Sequence, residues 1–166
     1  MKLDKYESYI QKMIAENILK EVDRAVSFFH ESFFDYAFAR IFFQDGDSIY
    51  TFIIKGDQYL FRRAQIRQLL LFYREEDIVQ YVKEVKDIIE DKKIRYHLKD
   101  VVFKMLNSLE NPDMIEYKLM EKYLKDEKSE FFTQFWNVIF TEKWGNLLIE
   151  NKVIDESFIY NKEDKI

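Results

Sequence analysis

The chain has 166 residues, with 26 lysines and arginines against 31 aspartates and glutamates, a net charge of −5, and no cysteine. Its 48% hydrophobic and 17% aromatic content is too apolar for a disordered segment and suffices for one domain, or for a small module followed by a repeat stack. The lack of cysteine excludes disulfides and thiolate metal sites and fits a cytoplasmic setting, while the acidic balance disfavours a broad phosphate-binding surface.

With 3 glycines and 1 proline, long regular elements meet few breakers, so a mainly α chain is expected. Leu3 to Glu16 reads as a helix with Tyr6, Tyr9, Ile10, Met13 and Ile14 on one face. Asn17 suits its stop, because asparagine tolerates the left-handed conformation. Ile18 to Val22 and Ala25 to Phe29 are read as a hairpin over Asp23-Arg24, and Val26 to Phe29 as a buried extended run. From Ser32 the apolar spacing becomes helical through Phe33, Phe34, Ala37, Phe38, Ile41 and Phe42. Ser32 is the expected N-cap, and Asp35 lies near the positive helix end. His30 therefore falls where an extended segment meets a helix start. The helix is expected to end near Gln44, and Asp45 to Ser48 reads as a turn. Ile49 to Ile54 suits a strand or, preferably, a short helix ended by Gly56.

Beyond this point an internal repeat emerges. Ile66 to Leu70 aligns with Leu98 to Val102, and Phe132 to Trp136 follows; each is read as the first helix of a pair. The second helices are Asp77 to Asp91, with Ile78, Val82, Val85 and Ile89 on one face, and Pro112 to Lys125, with Ile115, Leu119, Tyr123 and Leu124. Pro112 is expected at the helix start, where its missing N–H costs nothing. Two helices per repeat, with a period in the thirties, predict two to three HEAT-like pairs in an α-α superhelix.

The segment from Phe28 to Arg40, Phe-Phe-His-Glu-Ser-Phe-Phe-Asp-Tyr-Ala-Phe-Ala-Arg, resembles the Phe-x-His-x-Ser-Phe signature of NACHT-type STAND ATPases, a family that includes the NOD-like receptors and bacterial relatives. It departs at Phe34, where many members carry Gln. A looser similarity continues through Asp57-Gln58, Phe61-Arg62-Arg63, Gln65-Ile66-Arg67-Gln68 and Arg95-Tyr96-His97-Leu98. The resemblance implies a partial winged helix over 1–44 and helical repeats over 45–160, and the polar residues after Asn151 predict a frayed tail at 161–166. It also implies that His30 reaches the phosphates of ADP held by an ATPase domain in cis. The chain would then be a regulatory and sensor segment of a bacterial STAND ATPase, acting in signal transduction and antiviral defence.

Gly46, Gly56 and Gly145 open no phosphate-cradling Gly-x-x-x-x-Gly-Lys-Ser/Thr loop. A fragment or a shortened relative is therefore expected, with no enzymatic activity, no cofactor of its own, and ADP or ATP only beside a separate ATPase domain. His30-Glu31 lacks the second histidine of a zinc helix, since position 34 is Phe34. Asp45 and Asp47 lack the remaining ligands of a calcium loop, so no metal is expected. His30, Ser32 and Asp35 are spaced too locally to converge as a hydrolase triad. For the chain by itself, a buried His30 hydrogen-bonded to its neighbours is the favoured reading. His97 is read as a packing or capping residue.

Arg63, Arg67 and Arg74 share one helix face near Arg62. They are read as a solvated face paired with Glu75, Glu76 and Asp77, or as a surface for a partner. That partner is a protein or peptide on the repeats, with nucleic acid less favoured. The alternative to the STAND reading is a free-standing helical-repeat adaptor. No apolar run approaches a membrane span and no signal-peptide pattern opens the chain, so no membrane partner is expected.

Overall fold

A computed structural model describes residues 3–23, 25–129, 131–138 and 141–154; the expected tail at 161–166 lies outside them. The described residues are mainly helical with one two-stranded sheet, in two compact units, Met1–Asp47 and Ser48–Ile166.

In the first unit a 3-10 turn over Leu3–Tyr6 leads into α1 (Glu7–Ala15). The chain leaves α1 through Asn17 at φ 58°, where the Ile18 N–H donates to the Met13 carbonyl at 2.9 Å and the Asn17 N–H to the Ile14 carbonyl at 3.1 Å. These paired bonds satisfy helix carbonyls that would otherwise lack donors. Strand β1 (Leu19–Val22) then pairs antiparallel with β2 (Ala25–Phe28), Val22 opposite Ala25. The turn is thus two residues long, and Asp23 takes the left-handed φ of 52° that such turns favour. The expectation of a buried extended run is not met: Ala25, Val26 and Ser27 are exposed and only Phe28 is half-buried. Each strand of this sheet has a single neighbour, which leaves most of its surface uncovered.

Helix α2 (Glu31–Gln44) starts two residues ahead of the position a Ser32 cap implies. His30, not Ser32, is the cap, at φ −119° and ψ 142°. The Phe29 N–H still donates to the Ile18 carbonyl at 2.9 Å, and the Phe33 N–H already donates to the His30 carbonyl at 3.1 Å. Helical bonding therefore begins where strand pairing stops, leaving no residue for a serine cap. Gly46 at φ 70° ends α2. Among the described residues of this unit only Ala39 and Phe42 are buried; the predicted apolar face of α1 leaves Tyr6, Tyr9 and Met13 exposed.

The second unit holds α3 (Ile49–Lys55), α4 (Arg62–Glu76), α5 (Ile78–Glu90), α6 (Tyr96–Asn107), α7 (Met114–Lys125), α8 (Phe132–Val138) and α9 (Glu142–Glu150). Helix α6 touches α4 and α8, while α3, α5, α7 and α9 touch in succession, giving two rows. The first helices read from the repeat are one row, and the second helices lie in the other. Buried side chains between the rows include Ile66, Leu70, Val85, Ile88, Val102 and Phe103. Further along, Phe103, Phe135 and Trp144 pack edge to face, and the Trp144 indole donates to the Leu106 carbonyl at 2.9 Å. That bond supplies the acceptor a buried indole requires.

The helix starts follow local chemistry. Ser48, Asp77, Asp113 and Thr141 each accept a first-turn N–H of α3, α5, α7 and α9. Pro112 lies outside the helix it was expected to open, because Asp113 and Glu116 form a reciprocal capping box one residue later. The buried stripe of α5 runs through Tyr81, Val85, Ile88 and Ile89, whereas Ile78 is exposed.

Two buried carboxylates tie neighbouring helices together, Glu84 within one row and Glu116 across the two. Glu84 of α5 accepts the Tyr50 N–H at 2.7 Å and Gln80 Nε2 at 2.6 Å, which places a negative charge at the positive end of α3. The Tyr50 hydroxyl donates to Asp91 at 2.6 Å. Glu116 of α7 accepts Arg74 Nε at 2.6 Å and the Asp113 N–H at 2.9 Å, while Arg74 Nη2 donates to the Asn111 carbonyl at 2.8 Å. The Tyr81 hydroxyl is buried without a hydrogen-bond partner among the described residues. Its burial first, and the Glu116 charge second, hold its pKa far above the ordinary tyrosine range.

Arg74→Leu would leave the Glu116 carboxylate buried without its cation. Because Arg74 is itself part-exposed, the expected loss is about 2–3 kcal/mol, and Arg74→Leu with Glu116→Gln should recover part of it; urea unfolding of the three proteins measures both. A second expectation concerns acid. The Tyr50 hydroxyl first, and the Lys93 N–H second, hold the Asp91 carboxyl below its ordinary value. The stabilisation is complete above the unfolded pKa and is lost as pH falls through the folded one. The melting temperature should fall as pH drops below the ordinary carboxylate range, and Tyr50→Phe should flatten that fall.

Candidate functional site

The His30 junction combines the ends of two elements. The β2 ladder holds Phe29 extended, and α2 begins immediately afterwards, so the imidazole projects where the backbone changes course. Contrary to the favoured sequence reading, His30 is exposed, and its imidazole makes no hydrogen bond among the described residues. Its surroundings are aromatic: Phe29 stands edge-on at 4.7 Å between ring centroids, and Phe33 lies at 6.0 Å. Phe28 meets Phe34 edge-on, and Phe34, Phe38 and Phe42 continue along α2 at 6.3 and 5.8 Å. Phe29, Phe33 and Phe34 remain 42%, 37% and 43% exposed.

This arrangement can offer an imidazole donor or acceptor, framed by apolar rings, to a surface laid over it. It contains no nucleophile–base pair: His30, Ser32 and Asp35 are not hydrogen-bonded to one another among the described residues. The Asp35 carboxyl is pushed up by partial burial and then by repulsion from Glu31. No group of three or more His, Cys, Asp or Glu side chains suited to a metal occurs among the described residues.

Of the three arginines expected to share a face, Arg67 and Arg74 both reach the segment that follows α6. Arg74 is tied to Glu116 and Asn111, not to Glu75, Glu76 or Asp77, because the α6–α7 turn packs against the end of α4. Arg67 Nη2 donates to Ser108 Oγ at 3.2 Å, just past α6. The Arg63 N–H donates to the Leu60 carbonyl at 3.2 Å, and its guanidinium makes no hydrogen bond or ion pair among the described residues. His97 lies half-buried in the first turn of α6, consistent with packing, although its Nε2 has no partner there.

Sequence reasoning missed the buried Glu84 and Glu116. The second was legible, since Asp113 and Glu116 have capping-box spacing before an apolar run. Glu84 carried no such local sign, because its partner Tyr50 is distant in sequence. Helix α9 was also missed, although Thr141 supplies its cap.

Comparison with family models, curated proteins and solved structures finds no match. The exposed rings should make the junction adhesive. Phe29→Ser with Phe33→Ser should reduce binding of an apolar fluorescent dye such as ANS and reduce self-association, while changing stability by only about 1 kcal/mol.

Proposed function

We propose that this chain is the regulatory and sensor segment of a bacterial STAND ATPase of the NACHT type, coupling nucleotide state to partner sensing without catalysing a reaction itself. The observation that carries the reading is the His30 junction: a strand-to-helix corner with its imidazole open and exposed apolar rings around it. Such a ring of apolar surface is characteristic of docking sites. In this reading the hairpin and α2 are the back of a winged helix, an ATPase domain covers the rings, and His30 meets the phosphates of its ADP. The two rows of helices support the HEAT-like superhelix of the same reading, on which a protein or peptide partner would be sensed. No helix among the described residues is long and apolar enough to cross a membrane.

One observation favours a helical-repeat adaptor as the second reading. A groove of about 540 Å³ between α5 and α7 is lined by Lys86, Lys118, Leu119, Lys122 and Glu90, a mixed-charge surface suited to a peptide.

The two readings diverge in a direct test. The STAND reading expects the gene's reading frame to encode a Gly-x-x-x-x-Gly-Lys-Ser/Thr loop. In that protein His30→Ala should weaken ADP retention by about tenfold, the loss of one charge-assisted or neutral hydrogen bond to phosphate. The chain alone should not bind ADP in a calorimetric titration. A frame without the loop leaves the adaptor reading, and micromolar ADP binding by the chain alone would contradict both.

A further inference from the structure

We propose that the end of the second unit where α4 and α6 begin is a binding surface for single-stranded nucleic acid. This inference is independent of the reading of His30, and it concerns residues with no part in that junction.

Two loops meet there. Gln58 Nε2 donates to the Lys93 carbonyl at 3.1 Å, its Oε1 accepts the Arg95 N–H at 2.7 Å, and its carbonyl accepts Arg95 Nη1 at 3.4 Å. Gln58 thus fixes the segment before α4 against the segment before α6. Residues 57–63 and 91–96 together carry five cations (Arg62, Arg63, Lys92, Lys93, Arg95) and two acids (Asp57, Asp91). One of those acids, Asp91, is already engaged by the Tyr50 hydroxyl and the Lys93 N–H. The patch therefore opposes the chain's net charge of −5, and it is local charge that an anionic strand meets.

The helix starts add to the field. Helices α3, α5, α7 and α9 begin with a serine, aspartate or threonine whose side chain accepts a first-turn N–H. Helices α4 and α6 have no such bond, with Phe61 and Arg95 in the cap positions and arginines at or beside both starts. Cations at a positive helix end are unfavourable in isolation, and a bound anion reverses the sign of that interaction. Arg62 lies with its guanidinium 4.2 Å from the Phe52 ring centroid, and its Nε and Nη1 are shut from solvent without an acceptor. A side chain at position 56 would place its Cβ 2.7 Å from Arg62 Nη2, so Gly56 leaves room for this placement. The result is a fixed positive charge beneath the surface.

The same place exposes large rings. Tyr59, Phe61 and Tyr96 are 53%, 66% and 63% exposed, and Tyr59 stacks on Phe61 at 5.8 Å with an interplanar angle of 26°. Helical proteins ordinarily bury such residues. Open ring faces beside guanidinium and ammonium groups suit unpaired bases joined by phosphates, since every base has a face that can stack. Duplexes hide those faces, and an acidic peptide would engage the cations without the rings.

The test is fluorescence anisotropy of the full chain with a labelled oligo(dT) or oligo(U) of about 20 nucleotides. Micromolar binding in about 50 mM salt is expected, weakening by about twentyfold in about 200 mM salt, as three phosphate contacts would give. Phe61→Ala with Tyr96→Ala should weaken binding by about tenfold or more with an unchanged melting temperature, because both rings are exposed. Lys93→Glu with Arg95→Glu should abolish it. The proposal is overturned by no binding at about 100 µM protein. It is equally overturned by binding that both double variants retain, by duplex bound as tightly as single strand, or by polyglutamate bound as well and unaffected by loss of the rings.

Discussion

The Arg74–Glu116 ion pair is the interaction on which the second unit turns. Glu116 closes the capping box of α7 and is buried, while Arg74 reaches it from the far end of α4 and also holds the Asn111 carbonyl. One carboxylate therefore starts a helix and joins the two rows. Burying it is favourable only because an N–H and a guanidinium both meet it. Glu84 does comparable work at the other end of the stack, where it receives a backbone N–H of the seven-residue α3. A helix so short has little stability of its own, so a tertiary cap contributes much of what holds it.

The first unit is built differently. Its hydrogen bonds are local and well formed: an asparagine-terminated helix, a two-residue hairpin and a glycine-terminated helix follow one another. Its apolar side chains nevertheless remain largely uncovered. Backbone bonding defines shape in this unit, whereas side-chain burial defines it in the second. That contrast directs attention to the His30 corner as a place where something else is received, and it is why the corner and not a pocket anchors the functional reading.

Charge is also sorted in the second unit. Helices of the α5 and α7 row begin with aspartate, whereas α4 and α6 begin with arginine nearby. A chain acidic in total can therefore present a cationic end, because the helix starts gathered there carry arginines in place of capping acids. The exposed rings at that end make the segregation chemically useful.

What the sequence determined by itself was everything that depends on near neighbours. The left-handed Asn17, the hairpin at Asp23, the strand-to-helix change at His30, the turn at Gly46 and the alternation of first and second helices were all legible, because turn chemistry and apolar period act within a few residues. Tertiary structure decided the rest. It placed His30 in the open, since exposure depends on what packs around a corner. It gave Arg74 a partner 42 residues away in place of its acidic neighbours, and it buried Glu84 beneath Tyr50, 34 residues distant. Desolvation and long-range pairing depend on which surfaces meet, and no local pattern carries that information.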